Sequence, residues 1–114
     1  MNNVIKKKVK PYPILADLTI KEEKHNAKIV RIEPVGVLVQ DGKLIYPTGT
    51  KGTLSFVFPT KIARIEEEVI LVKTIDTLSK EDGSTIRLLE FHFRDLKPNN
   101  RELIVSFINA IGQR

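Results

Sequence analysis

The stretch "RLLEFHFRDLKPNNRELIVSFINAI", residues 87–111, changes its repeat halfway along. In the first half Leu89, Phe91 and Phe93 fall on one side of an extended chain, and Glu90, His92 and Arg94 on the other. That two-residue alternation is the pattern of a half-buried strand. In the second half Leu103, Ile104, Phe107, Ile108 and Ile111 recur at steps of three and four, which makes one apolar stripe on a helix. Pro98 stands just before the start. Asn99 and Glu102 have the spacing of a capping box, and Gly112 suits the C-terminal cap. A helix this short is marginal in isolation, so it needs a sheet to cover its stripe. Burying each of the five apolar side chains contributes roughly 1.5–3 kcal/mol.

Working outward, the rest of the chain reads as strands. Ile14, Ala16, Leu18 and Ile20 alternate with more polar neighbours, and "KEEKHN" (residues 21–26) follows as a polar turn. In "AKIVRIEPVGVLVQDG" (residues 27–42), residues 27–33 and 35–40 are two strands joined at a Pro34 corner. Proline cannot donate to a ladder, so it belongs at a bulge or an edge. Asp41-Gly42 is a hairpin signal, and "IYPTGTKG" (residues 45–52) is rich in turn formers. Leu54, Phe56 and Phe58 mark a fourth strand. A fifth lies within residues 62–75, clearest at Val69, Ile70, Leu71 and Val72, and "SKEDGS" (residues 79–84) turns the chain into the last strand. The expected fold is mainly β: six antiparallel strands curled into a small barrel, with one C-terminal helix packed on it.

A chain of 114 residues fits one domain with a single ordinary core. The division expected is a basic arm over residues 1–13 and one barrel domain over residues 14–114. The absence of cysteine excludes disulfides, zinc-thiolate sites and thiol nucleophiles, and it fits a reducing compartment. No apolar run reaches membrane-spanning length, and the N-terminal basic run has no apolar region after it, so the expected location is the cytoplasm. The formal net charge is +5, of which Lys6, Lys7, Lys8 and Lys10 supply four. The body is thus nearly neutral and the basic character sits in the arm, whose plain reading is a solvated tail that aids solubility.

Catalytic sets are missing. His25 reads as part of a polar turn and His92 as an outward residue of the last strand, and neither has a nucleophile or ligand partner by spacing. Glu66, Glu67 and Glu68 read as a solvated run, because consecutive strand residues point to opposite faces. "TGTKGT" (residues 48–53) lacks phosphate-loop spacing and no helix follows it. These features point to a binding module rather than an enzyme, with no required cofactor.

The basic arm, the bent Val-Arg-Ile-Glu-Pro-Val-Gly-Val corner and the closing strand, aromatic-Arg-Asp-Leu turn and amphipathic helix together resemble a PilZ domain across nearly the whole chain. The resemblance implies a bacterial signalling protein, an antiparallel barrel with a C-terminal helix, and cyclic di-GMP as the ligand of many members. The family's first ligand motif is Arg-x-x-x-Arg on the arm. Here Lys6 and Lys10 stand at those places, with Lys7 and Lys8 as alternatives in register. The second is Asp or Asn, then x-Ser-x-x-Gly, at the corner. Here Arg31 and Glu33 replace the first two and Gly36 keeps the third. Lysine lacks the planar fork with which arginine grips phosphate and stacks on bases, and Arg31 can only donate where a carboxylate or amide accepts. Glu33 adds negative charge where a phosphate would lie. Hydrogen bonds to charged groups contribute roughly 1.5–3 kcal/mol each, so losing three forfeits about 4–9 kcal/mol, against about 8 kcal/mol for a micromolar ligand.

Three functions follow from this reading. The first is a degenerate PilZ-like adaptor that acts through protein partners in motility, pili, secretion or biofilm control. The second is a cyclic di-GMP receptor with an altered site built from the lysine arm and Arg31. The third, ranked last, is a nucleic-acid-binding barrel. It ranks last because the few aromatics are placed for the core rather than as stacking platforms. Arg31 and Glu33, two apart, share one face of their strand and are placed to pair.

Overall fold

Alternation along each strand decides what faces inward. In the first strand, β1 (Ile14–Ile20), Ile14, Ala16, Leu18 and Ile20 are all buried. The computed structural model describes residues 14–41, 45–58, 63–79 and 82–111. The remaining strands are β2 (Glu23–Glu33), β3 (Gly36–Gln40), β4 (Lys51–Val57), β5 (Arg64–Leu78) and β6 (Thr85–Phe93), followed by the helix α1 (Pro98–Ala110). They close into an antiparallel barrel in the order β1-β2-β3-β6-β5-β4. Closure removes the free sheet edges that an open six-stranded sheet would expose. Among the described residues no helix is long and apolar enough to cross a membrane. The basic arm, with Lys6, Lys7, Lys8 and Lys10, and the expected helix stop at Gly112 lie outside the described residues.

Two local readings change. The turn in "KEEKHN" is only Lys21-Glu22, both with positive φ (52° and 70°), because Ile20 pairs with Glu23 and the ladder continues at once. His25 therefore lies in β2 opposite Leu18, half-buried, with its Nε2 3.3 Å from the Tyr46 hydroxyl. Asp41-Gly42 does not join neighbouring strands either. β3 pairs with β2 and β6, whereas β4 pairs with β1 and β5, so the two strands stand on opposite sides of the barrel. A turn-forming dipeptide marks a change of direction but cannot say which strand comes alongside next.

Bulges reset the inward pattern. In β2 the register shifts between Ile29 and Arg31, so Ile29 and Ile32, three apart, both reach the core. A second shift between Leu71 and Lys73 ends the buried run of Ile65, Val69 and Leu71 in β5.

The helix covers part of the barrel with Ile104 and Phe107, both buried, while Leu103, Ile108 and Ile111 pack partly against the core. Phe107 stacks on Phe58 with centroids 4.3 Å apart. The expected capping box does not form. The helix begins two residues earlier than that box implies, at Pro98, with Lys97 at the N-cap making no side-chain cap. The cap comes from elsewhere. Glu67 of β5, 3% exposed, accepts the Lys97 backbone N–H at 3.1 Å and the Asn100 Nδ2 amide at 2.6 Å. The Lys97 ammonium lies 3.6 Å from the same carboxylate oxygen. The glutamate run is therefore not uniformly solvated: strand alternation sends Glu66 and Glu68 outward and Glu67 in, to the one place where a helix start needs an acceptor.

Candidate functional site

The corner between β2 and β3 is a two-residue loop. Glu33 pairs with Gly36, leaving Pro34 and Val35 outside the ladder, where a missing N–H costs nothing. The Val35 carbonyl accepts the Phe93 N–H at 3.0 Å and ties the loop to β6. Gly36 is buried beside β6, opposite His92. A Cβ there would run into the Phe91 carbonyl oxygen and lie 2.9 Å from the His92 Cα. Glycine at this corner thus serves close backbone approach, and its φ is not in the left-handed region.

The register places four charged side chains around this point. Arg31 and Glu90 flank Leu38 in one cross-strand row, and Glu33 and His92 flank Gly36 in the next. Together with Ile75 they line a surface pocket of about 370 Å³. Of the residues expected from the sequence, Arg31, Glu33 and Gly36 converge here, whereas the four lysines lie outside the described residues.

Arg31 and His92 each already hold a carboxylate. Arg31 Nε and Nη2 lie 2.9 and 2.8 Å from Glu33 Oε2, the pairing that their spacing predicts. His92 Nε2 lies 2.9 Å from Glu90 Oε2. Glu90, His92 and Ile75 belong to the pocket although the sequence does not nominate them. The alternation of "EFHF" puts Glu90 and His92 on the outward face, but only the β3–β6 pairing brings that face beside the corner. Among the described residues no cluster of His, Asp and Glu could hold a metal ion.

No protein-family model matches the chain, and no curated protein matches it. Solved structures do. The PilZ domain of YcgR from Escherichia coli, determined with c-di-GMP, superposes with a TM-score of 0.73 over 89% of this chain and 82% of its own, at 9% identity. The Bacillus subtilis inhibitor of motility, MotI/DgrA, superposes with a TM-score of 0.72 at 13% identity over 91% of this chain, which spans about half of that protein (49%). At such identities the likeness is one of fold. The six-stranded closed barrel with its C-terminal helix is the fold of a PilZ domain.

Proposed function

We propose that this chain is a PilZ-like adaptor that acts through a protein partner in cyclic di-GMP-linked regulation in the bacterial cytoplasm, and that its own nucleotide site is degenerate. The observation that carries this reading is that the donors of the pocket at the β2–β3 corner are already held by carboxylates. Cyclic di-GMP brings two phosphate charges. Here it would meet a lining on which Arg31 is already engaged by Glu33 and His92 by Glu90. Admitting a phosphate means breaking a pair and leaving a carboxylate beside an anion, and a like-charge contact of that kind opposes binding.

The second reading is a receptor with an altered site. It is favoured by the convergence of Arg31, Glu33 and Gly36 in one pocket and by the cyclic dinucleotide present in the E. coli PilZ domain. Isothermal calorimetry separates the two. The parent is expected to show no cyclic di-GMP binding below about 100 µM, and a variant carrying Lys6→Arg, Lys10→Arg, Arg31→Asp and Glu33→Ser is expected to gain measurable affinity. Because the arm register is open, the variant is also made with Lys7 and Lys8 changed. Tight binding by the parent refutes the adaptor reading in favour of the receptor.

A further inference from the structure

We infer that the barrel end formed by the β1–β2 turn and the start of β4 is the adaptor's docking face, where Lys21 and Lys51 take the carboxylates of an acidic segment on the protein partner. This rests on the adaptor reading and deepens it, because it names the face that docks and the chemistry of the partner. The face is separate from the pocket at the β2–β3 corner, and the two share no lining residue.

Register brings the two lysines together. Thr19 of β1 stands opposite Thr53 of β4, and the same register carried two residues on sets Lys21 level with Lys51. Thr53 stands in turn opposite Glu68 of β5. These five residues and Arg94 line one surface pocket of about 340 Å³. Gly52 lets the strands close up beside Lys21, since a Cβ there would lie 2.9 Å from the Thr19 carbonyl oxygen. Two features of this placement work against the fold. Like charges level with each other on neighbouring strands repel. Lys21 and Glu22 also hold φ of 52° and 70°, a turn geometry that Asn-Gly or Gly-Gly normally fills, and the left-handed region is costly for residues with a side chain. Strain of this kind persists where a ligand contact offsets it. Both lysines are exposed, and among the described residues neither has a carboxylate partner. The acid across the pocket is already taken: Arg94 Nη1 lies 3.4 Å from Glu68 Oε1, and the Arg94 N–H donates to the Glu68 carbonyl at 3.0 Å. Two unspent ammoniums side by side complement closely spaced carboxylates. Glu22, the other acid of the lining, chooses between occupants. A compact dianion bridging the lysines meets its charge at short range, whereas an extended protein segment can set one side-chain carboxylate on each lysine and turn its alternate residues away.

The test is an amide NMR titration of the full chain with a synthetic peptide of alternating glutamate and serine, blocked at both ends, at low salt. The expected result is a saturable set of shifts at Thr19, Lys21, Lys51 and Thr53 that fades as salt is raised. Affinity should fall roughly fivefold in Lys21→Gln/Lys51→Gln, the size expected for two exposed ion pairs lost together, and should be retained in Lys21→Arg/Lys51→Arg. The dispersion of the same spectra shows that each variant is folded. Shifts at these amides that survive the glutamine variant, shifts confined to other parts of the barrel, or no shifts at all would each overturn the inference. So would inorganic phosphate or a single-stranded oligonucleotide that moves the same amides at lower concentration than the peptide. A separate titration with cyclic di-GMP keeps the two proposals apart. Tight nucleotide binding with the peptide shifts intact refutes the degenerate site and upholds the docking face. Missing peptide shifts without nucleotide binding refute the docking face alone.

Discussion

Replacing Glu67 by alanine tests whether the helix is held by a cap borrowed from the barrel. The carboxylate is buried (2% side-chain exposure) and accepts two donors, the Lys97 N–H at 3.1 Å and Asn100 Nδ2 at 2.6 Å. Its third contact, the Lys97 ammonium at 3.6 Å, comes from a side chain 65% exposed, so that pair adds little. Two hydrogen bonds to a charged acceptor are worth about 3–6 kcal/mol together. Lys97 lies near solvent and water can reach part of the vacated space, so the expected loss is about 3–4 kcal/mol, or roughly 12–30 °C in Tm for a domain of this size. Glu67→Gln keeps an acceptor oxygen and loses the charge that faces the helix N-terminus, so about 1–2 kcal/mol is expected. Urea unfolding followed by circular dichroism measures both. In a double-mutant cycle, Glu67→Ala and Asn100→Ala should be non-additive by at least about 0.5 kcal/mol. An alanine variant within about 1 kcal/mol of the parent, or full additivity with Asn100→Ala, would refute the borrowed cap.

Phe107→Ala removes the ring that stacks on Phe58 and should destabilise by about 3–5 kcal/mol in the same unfolding assay. Gly36→Ala drives a methyl into the Phe91 carbonyl, a backbone atom that cannot rotate away. The cost is expected at or above the upper end of the usual overpacking range of about 1–3 kcal/mol, with faster amide exchange at the β3–β6 ladder. The Asp82 carboxyl in the β5–β6 turn is held below the usual carboxylate range, first by the Ser84 backbone N–H at 2.9 Å and then by the Ser84 hydroxyl at 2.7 Å. Any stability it lends is therefore present at neutral pH and lost as pH falls through its folded pKa. Its NMR titration midpoint should lie below that of free aspartate and rise in Ser84→Ala.

Most of the fold is legible in local periodicity. Ile14, Ala16, Leu18 and Ile20, then Leu89 and Phe91, alternate in sequence and are buried as their spacing predicts. The helical stripe also stands, with Ile104 and Phe107 at its buried centre. What periodicity cannot carry is pairing. Asp41-Gly42 has the chemistry of a hairpin turn, yet β3 leaves its expected neighbour for β6, because closing the barrel makes β4 the partner of β1. The same limit hides Glu67. Its alternation places it inward, but the reason a carboxylate is tolerated there is a helix start thirty residues later in the chain, reached only through the tertiary fold. Asn99 and Glu102 carry the letters of a capping box, and the helix disregards them because Pro98 has already set its first turn.

The corner shows why shape and chemistry part company in this barrel. Its shape depends on few residues: Pro34 in the loop, Gly36 against the Phe91 carbonyl, and the inward neighbours Ile32 and Val37. Gly36 is constrained by steric contact and Ile32 and Val37 by burial, so changing any of these three costs stability directly. Arg31, Glu33, Glu90 and His92 face outward, and exposed ion pairs such as theirs contribute little to folding. Substitution at those four positions is therefore expected to cost the fold little. A barrel can therefore superpose on a PilZ domain at 9% identity while the arginine and the histidine of its corner pocket are each held by a glutamate. By the same reasoning, freeing the pocket of carboxylates needs more than the corner motif. Arg31→Asp with Glu33→Ser exchanges one cation and one anion for one anion, which leaves Glu90 facing the nucleotide with His92 as its hydrogen-bond partner. Adding Glu90→Gln to the four-residue variant should therefore raise its cyclic di-GMP affinity about tenfold, the equivalent of roughly 1.4 kcal/mol. Equal affinity with and without that change would show that the pocket lined by Glu90 is not where the nucleotide sits.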